Sequence, residues 1–329
     1  MMFFKRFIIS MIFFMSMTIL PSFADDEEMN IVYVTDNNYV LYTLLSIKSI
    51  FDNNTSNSKF RFFIIENGIS KHNRAKISNY IEKNNQKAEF IKCDTTPIDG
   101  GENMQTGLIH ERNIYITRIV AAKLLIPELL PEDIEKALYL DSDTLVLSDI
   151  KELYSQDISN YIIGMGMDNV YYNSTIENEI PIPIYYNSGI LLINVKKWKE
   201  DNINAKILDY VKKNPKIRWP DQDVLNKILP PDEIKMLDRK WNNQYRTFND
   251  TTIETTDNGG IIHYFTKVKP WQFGPHDSQF KRKYLAFWAK SPFALSIIPH
   301  FIKAIYKHYT EFLIADSIYW FTGENNIYE

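Results

Sequence analysis

The chain has 329 residues, 45% of them hydrophobic and 24% charged, a composition that supports a sizeable core and excludes disorder as the default state. Its formal net charge of -4 argues against a nucleic-acid partner, because phosphate backbones are held by domains with a clear positive excess. The single cysteine, Cys93, excludes an intramolecular disulfide and a cysteine-based zinc cluster.

Residues 1–24 read as a targeting segment: Lys5 and Arg6 precede an uncharged apolar run from Phe7 to Leu20, then Pro21-Ser22-Phe23-Ala24. The run is shorter than the ~20 residues of a spanning helix. A signal peptide is therefore favoured over an uncleaved membrane anchor, with a buried first helix as the plain packing alternative. Membrane association is expected, but the compartment stays open: an uncleaved anchor would hold the protein at the membrane, whereas a cleaved signal peptide would release it beyond one.

From Asn30 the pattern alternates. NIVYVTD (30–36) is a short apolar, β-branched run, the signature of a buried strand, and VLYTLLSIKSIF (40–51) carries Leu41, Leu44, Leu45 and Lys48 at helical spacing before the stop Asp52-Asn53-Asn54. FRFFII (60–65) and AEFIKC (88–93) are further strands around a polar helix at 71–84. A helix over 114–126 is closed by Pro127 and Pro131, and the strand KALYL (136–140) runs straight into DSDTLVLSD (141–149). The second half adds YIIGMGMD (161–168), YYNSGILLINV (185–195), a helix over 196–213, WPDQDVLNKIL (219–229) and GIIHYF (260–265). Repeated strand–helix units imply an α/β fold with a mostly parallel, doubly wound sheet and ligands outside the carboxyl ends of its strands. Three segments are expected: residues 1–24, a catalytic domain over 29–275 and a helical C-terminal region over 276–329.

That last region is basic and aromatic. Lys281, Arg282, Lys283, Lys290, Lys303 and Lys307 lie among Phe287, Trp288, Phe293, Phe301, Tyr306, Tyr309, Trp320 and Phe321, with no acid between Phe280 and Thr310. Aromatic rings settle at the lipid headgroup level and clustered cations are drawn to anionic lipid, so residues 280–321 are expected to dock on an anionic membrane surface outside the catalytic core. A pair of helices packed on the sheet, basic face in water, is the alternative.

Asp141 and Asp143 follow an apolar strand at the edge where such sheets bind ligands. Two carboxylates so placed suit a hard divalent cation that bridges the phosphates of a nucleotide. By itself an Asp-x-Asp pair is most often a solvated turn. The string YLDSDTLVLSD also fits the first motif of the haloacid dehalogenase superfamily, a phosphatase reading with only Asp168 in GMGMD to echo the later acidic pair.

NIVYVTDNNYVLYTLLSIKSI, the Arg118 helix with ELLPEDIEKALYLDSDTLV, YYNSGILLINVKKW, PDQDVLNKIL with the Trp-Asn that follows, and IIHYFTKVKPW together resemble glycosyltransferase family 8, in the family's order, over about residues 30–271. The resemblance implies a glycosyltransferase A-type nucleotide-binding sheet leading into an acceptor-binding half. It also implies a hexosyltransferase that moves a sugar from a UDP-sugar to a glycan or glycolipid, such as the lipopolysaccharide core, with retention and with Mn2+ or Mg2+. A non-catalytic sugar- or nucleotide-binding relative is the alternative within the family.

The resemblance also assigns roles. Thr35, Asp36, Asn38 and Tyr39 match the nucleotide-binding stretch, with Asp36 and Asn38 on uracil and ribose and the Tyr39 ring on the base. Read alone, this stretch is a helix-capping loop with a core tyrosine. Arg118 matches a position near the donor phosphates. Asp141, Asp143 and His263 match the metal ligands, and Ser142 faces the donor. Asp168 and Asn187 match positions on the transferred sugar, Ser188 and Gly189 bring backbone close to it, and Asp221 and Gln222 match the catalytic pair beside the anomeric carbon. Without the resemblance, DQDVLNKIL is an amphipathic helix with dipole-favoured acids in its first turn. Lys269 matches a residue that neutralises the leaving diphosphate. The sequence departs at Thr266 and Lys267, where the family often has glycine and proline, though Thr266 still offers its N–H to phosphate.

Overall fold

The computed structural model describes residues 28–94, 122–168, 184–214, 220–245, 259–265, 269–272, 278–303, 305–306 and 309–310. The expectations for residues 1–24, Arg118, Thr266, Lys307 and residues 311–321 fall outside them.

Seven strands form the main sheet: β1 (Met29–Thr35), β2 (Phe60–Glu66), β3 (Lys87–Lys92), β4 (Lys136–Leu140), β6 (Ile163–Met167), β7 (Tyr186–Asn194) and β8 (Ile234–Met236). Their order across the sheet is β3-β2-β1-β4-β7-β6-β8, and β7 alone runs against the others. The apolar runs are continuous because both faces are covered. Along β1, Met29, Ile31 and Tyr33 enter one core while Val32 and Val34 enter the other. Ala137 and Tyr139 of β4 likewise face away from Leu138 and Leu140. A two-residue period with both phases buried is the mark of a doubly wound sheet.

Helices α1 (Val40–Asp52) and α2 (Lys71–Lys83) cover one face with Leu44, Ile47, Ile77 and Ile81. The opposite face is covered by a 3-10 turn (Ala122–Leu125) running into α3 (Ile126–Leu129), and by α5 (Val195–Glu200), α6 (Ile203–Lys213) and α7 (Pro220–Ile228). The short α4 (Lys151–Tyr154) returns to the first core through Leu153 and Tyr154.

Three local readings change. Pro127 does not end a helix but sits in the first turn of α3, where a missing N–H costs nothing. The helix expected over 196–213 is two, broken at Asn202, whose φ of 51° is left-handed. GIIHYF does not join the main sheet: β10 (Ile261–His263) lies between β5 (Thr144–Val146) and β9 (Asn243–Gln244) in a small second sheet.

The C-terminal region is divided. In α8 (Gln279–Ala289), Phe280, Tyr284 and Trp288 recur every four residues, which places them on one helix face. That face packs with Tyr42, Leu45, Ile262, Tyr264 and Trp271 in a third core. Trp288 Nε1 donates to the Phe293 carbonyl at 3.1 Å and Tyr42 stacks on Trp271 at 3.6 Å between ring centroids. Lys281 is buried as well. The expectation that the segment from 280 onward lies outside the catalytic core therefore fails for α8. Further along, Leu295 is 81% exposed, and Ile298, Phe301, Ile302, Ile305, Tyr306 and Tyr309 are exposed.

Trp288→Ala should cost about 3–5 kcal/mol, as aromatic-to-alanine changes in a core do, whereas Phe301→Ser should stay within about 0.5 kcal/mol. Denaturant unfolding of the two variants checks this; equal effects would place both halves of the region in the same environment.

Candidate active site and metal-binding cluster

The candidate residues converge because one edge of the sheet collects strand ends. Asp36 follows β1, Asp141 follows β4 and Asp168 follows β6. Since β7 is reversed, its first residues Tyr186, Asn187, Ser188 and Gly189 reach the same edge. The first turn of α7 brings Asp221 and Gln222 there. Asn226, one turn further along α7, accepts from Tyr186 N at 2.7 Å and donates to Tyr186 O at 2.7 Å, which locks the helix to the strand.

Asp141, Asp143 and His263 form one cluster, each offering a ligand atom within 4.8 Å of the others. Their meeting depends on β5 starting immediately after Asp143 and pairing Thr144 with His263 across the small sheet. His263 Nε2 lies 3.3 Å from Asp141 Oδ2 and 3.4 Å from Asp143 Oδ1. On the far side of the ring, Nδ1 is 3.1 Å from Asn242 Oδ1, and Asn242 Nδ2 donates to Asn187 Oδ1 at 2.9 Å. That second bond orients the amide with its oxygen toward the imidazole, so Nδ1–H donates to it and Nε2 is left facing the acids, where it carries a proton for them or, with a cation bound, a lone pair for the ion. A Cβ built on Gly189 would lie 2.0 Å from His263 Cε1. Glycine is required there to seat the histidine, a reason separate from the backbone approach expected of it.

The donor set fits a divalent cation. Oδ1 of Asp143 is buried and, among the described residues, has only the long 3.4 Å approach of His263 Nε2 for a partner, an expense a bound ion would remove. Two carboxylates and an imidazole are a common ligand set for a divalent metal ion. Burial pushes the Asp143 carboxyl up, but Lys269 and then His263 overcome it and hold it well below the usual range. Asp141 is also lowered, burial being outweighed by Lys123 and His263. For His263 burial acts to lower the pKa, yet hydrogen bonding to Asp141 and Asp143 raises it. Both acids are thus ionised and ready to ligate at neutral pH.

A second network adjoins the cluster. Gln222 Nε2 donates to Asp168 Oδ2 at 2.8 Å, while its Oε1 accepts from Asn187 Nδ2 at 3.0 Å and from Ser188 N at 3.2 Å. Ser188 Oγ donates to Asp221 Oδ2 at 2.8 Å. Lys123 joins the two groups, 2.9 Å from Asp141 Oδ1 and 2.8 Å from Asp221 Oδ2. The sequence reading missed Lys123. Its signal was a lone charge inside the apolar string AAKLLIP: a lysine buried there needs acidic partners. Tyr139, which donates to Asp141, and Asn242, the last residue of a 3-10 turn (Arg239–Asn242), were given no role although both lie inside the segments that carry the family resemblance.

On the nucleotide side, Asp36 Oδ1 accepts from Asn38 N at 2.9 Å and Tyr39 N at 3.1 Å, so the loop-building part of the plain reading holds. Its core tyrosine does not. Tyr39 is 37% exposed, and the buried tyrosine is Tyr42. The Tyr39 phenol is pushed up to about 12 by partial burial and then by the charges of Asp143, Asp36 and Asp141. Thr35 and Ser142 are joined through Thr43, whose Oγ1 is 2.9 Å from Thr35 Oγ1 and 2.8 Å from Ser142 Oγ. Lys269 Nζ reaches Asp143 Oδ2 at 2.5 Å.

Known proteins resemble this chain in sequence and in fold. The chain is 29% identical to general stress protein A of Bacillus subtilis (strain 168) over 75% of this chain and 88% of that protein. It is 26% identical to a lipopolysaccharide 1,2-glucosyltransferase of Escherichia coli over 86% of both chains. The crystal structure of the galactosyltransferase LgtC, with donor and acceptor sugar analogs, superposes with a TM-score of 0.66 at 23% identity, covering 80% of this chain and 96% of that one, and so shares its fold. The sequence model described as "Glycosyl transferase family 8" matches residues 30–274. This leaves the phosphatase reading of YLDSDTLVLSD without support. The chain belongs to glycosyltransferase family 8 and is a glycosyltransferase.

Proposed function

We propose that the enzyme transfers a hexose from a UDP-sugar to a glycan or glycolipid with retention of anomeric configuration. The observation that carries this reading is the junction of an Asp141–Asp143–His263 cluster with the Asp168–Asn187–Gln222 network at one sheet edge. A divalent cation held by Asp141, Asp143 and His263 would supply positive charge to a departing diphosphate. Lys269 adds a second positive charge beside it. The open ring of Tyr39 offers a stacking face for a base, and Asp36 and Asn38 stand next to it.

Front-face substitution is favoured over double displacement, which needs a free carboxylate beneath the anomeric carbon. Asp221 Oδ2 is engaged by Lys123 and Ser188, and an ion-paired carboxylate is a weak nucleophile. Gln222 is neutral. With its Oε1 fixed by Asn187 and Ser188, it presents a dipole suited to supporting an oxocarbenium-like centre. The likeness to a lipopolysaccharide 1,2-glucosyltransferase makes a bacterial surface glycolipid the acceptor we favour.

Such an acceptor lies at a membrane, and the exposed row Ile298, Phe301, Ile302, Ile305 and Tyr309 supplies a surface for one. Its spacing of three and four residues forms an apolar stripe on a helix, flanked by Lys290 and Lys303 in an acid-free stretch. We place docking on anionic lipid in residues 294–310 rather than in the whole basic segment. No helix among the described residues is long and apolar enough to cross a membrane.

Incubation with a panel of UDP-sugars and Mn2+ should release UDP, and Asp143→Asn should abolish most of that turnover with the melting temperature kept. An unchanged rate at saturating Mn2+ would remove the metal assignment. Gln222→Ala should be slower by roughly 10²–10³-fold without being dead, the scale of one lost electrostatic contact; an inverted product anomer in the wild type would end the retaining reading. In a chain lacking residues 1–24, charge reversal at Lys303 and Lys307, the two lysines within 294–310, should reduce sedimentation with anionic vesicles. Undiminished binding would show that charge does not hold the protein on the lipid.

A further inference from the structure

The buried edge holds acids that are already neutralised by lysines, and the two lysines differ in how they are held. Lys123 is enclosed between Asp141 and Asp221 and lies over the Tyr139 ring at 5.3 Å. Lys269 reaches in from a segment outside both sheets. It meets one carboxylate, Asp143 Oδ2 at 2.5 Å, and one neutral group, the Tyr264 carbonyl at 2.9 Å. The other oxygen of that carboxylate, Oδ1, is buried and, among the described residues, meets only His263 Nε2, at a long 3.4 Å.

An ammonium on Asp143 and a divalent cation on the same carboxylate repel each other, and burial leaves little water to screen them. The ammonium also draws electron density from the carboxylate that must ligate. A diphosphate brought alongside offers the lysine a second anion, more strongly charged than a carboxylate. Lys123 has no comparable freedom, since leaving Asp141 and Asp221 would strand two buried acids.

We propose that Lys269 is the resident counter-ion of Asp143, which a divalent cation has to displace, and that this exchange couples metal binding to nucleotide binding. The inference rests on the metal and UDP-sugar reading above. It makes the metal-free site stable and discriminates against metal binding without nucleotide. By linkage the coupling is reciprocal: UDP strengthens Mn2+ binding by the factor by which Mn2+ strengthens UDP binding. Substituting the lysine moves the two affinities in opposite directions, which loss of a merely structural contact would not do.

The test is Mn2+ affinity of the full chain, read by electron paramagnetic resonance of the free ion, with and without UDP. Lys269→Met should bind Mn2+ alone about tenfold more tightly than the wild type, within the usual range of coupling between sites, and should show a smaller gain on adding UDP. Lys269→Arg keeps the charge and should keep the weak metal binding, which guards against a misfolded methionine variant. If the wild type takes up Mn2+ with UDP but Lys269→Met binds Mn2+ alone no more tightly than the wild type, the counter-ion role is wrong. If the wild type takes up no Mn2+ even with UDP, the reading of the site itself falls, and this inference with it.

Discussion

Burying several carboxylates at one edge of a sheet is the constraint on which the rest of this molecule depends. Asp141, Asp143, Asp168 and Asp221 lie within a connected set of side chains, and an ionised carboxylate taken out of water must be paired or it destabilises the fold. Each acid has a different answer. Asp141 and Asp221 share Lys123, Asp143 meets Lys269, and Asp168 accepts from the amide of Gln222. His263 stands between Asp141 and Asp143 with one nitrogen committed to Asn242. The result is a site in which every acid has a partner before any ligand arrives, yet in which two lysines stand against four carboxylates and Asp143 Oδ1 meets, among the described residues, only the His263 ring, at 3.4 Å.

The sheet provides the place for this cluster by an exception to its own regularity. A fully parallel sheet would carry the first residues of β7 to the opposite edge. Reversal of β7 instead brings Asn187, Ser188 and Gly189 to the carboxyl ends of β1, β4 and β6. Gly189 then passes so close to His263 that no side chain fits, and its carbonyl accepts from Asp141 N at 2.8 Å. One reversed strand thereby joins the sugar-side residues to the metal-side ones. The small sheet completes the join, because β5 and β10 carry Asp143 and His263 at the ends of paired strands.

The third core connects this site to the C-terminal region. Tyr42 on α1 stacks on Trp271, Trp271 packs near Tyr284 of α8, and Tyr39 meets both Tyr42 and Trp271 edge-on. Lys269 lies two residues before Trp271, so the segment that presents the lysine is tethered by an aromatic stack. The first part of the C-terminal region thus supports the nucleotide side of the site, while the following helical residues turn apolar side chains outward.

Much of this was legible in the sequence by itself. Continuous apolar, β-branched runs located β1, β2, β4 and β7 within a residue or two, and the Asp-x-Asp pair after KALYL placed acids at a strand end. Motif order identified the family, and with it Asp141, Asp143 and His263 as companions. Tertiary structure alone decided the direction of β7, because a strand buried on both faces has the same pattern read either way. It alone decided which basic residue serves the buried acids: Lys123, a single charge in an apolar string, needed partners that lie far away along the chain. It alone divided the C-terminal region, where the four-residue spacing of Phe280, Tyr284 and Trp288 marks an apolar face but says nothing of whether protein or solvent meets it. Local sequence records which faces are apolar and where strands end; what those faces and ends meet is set by contacts between distant segments.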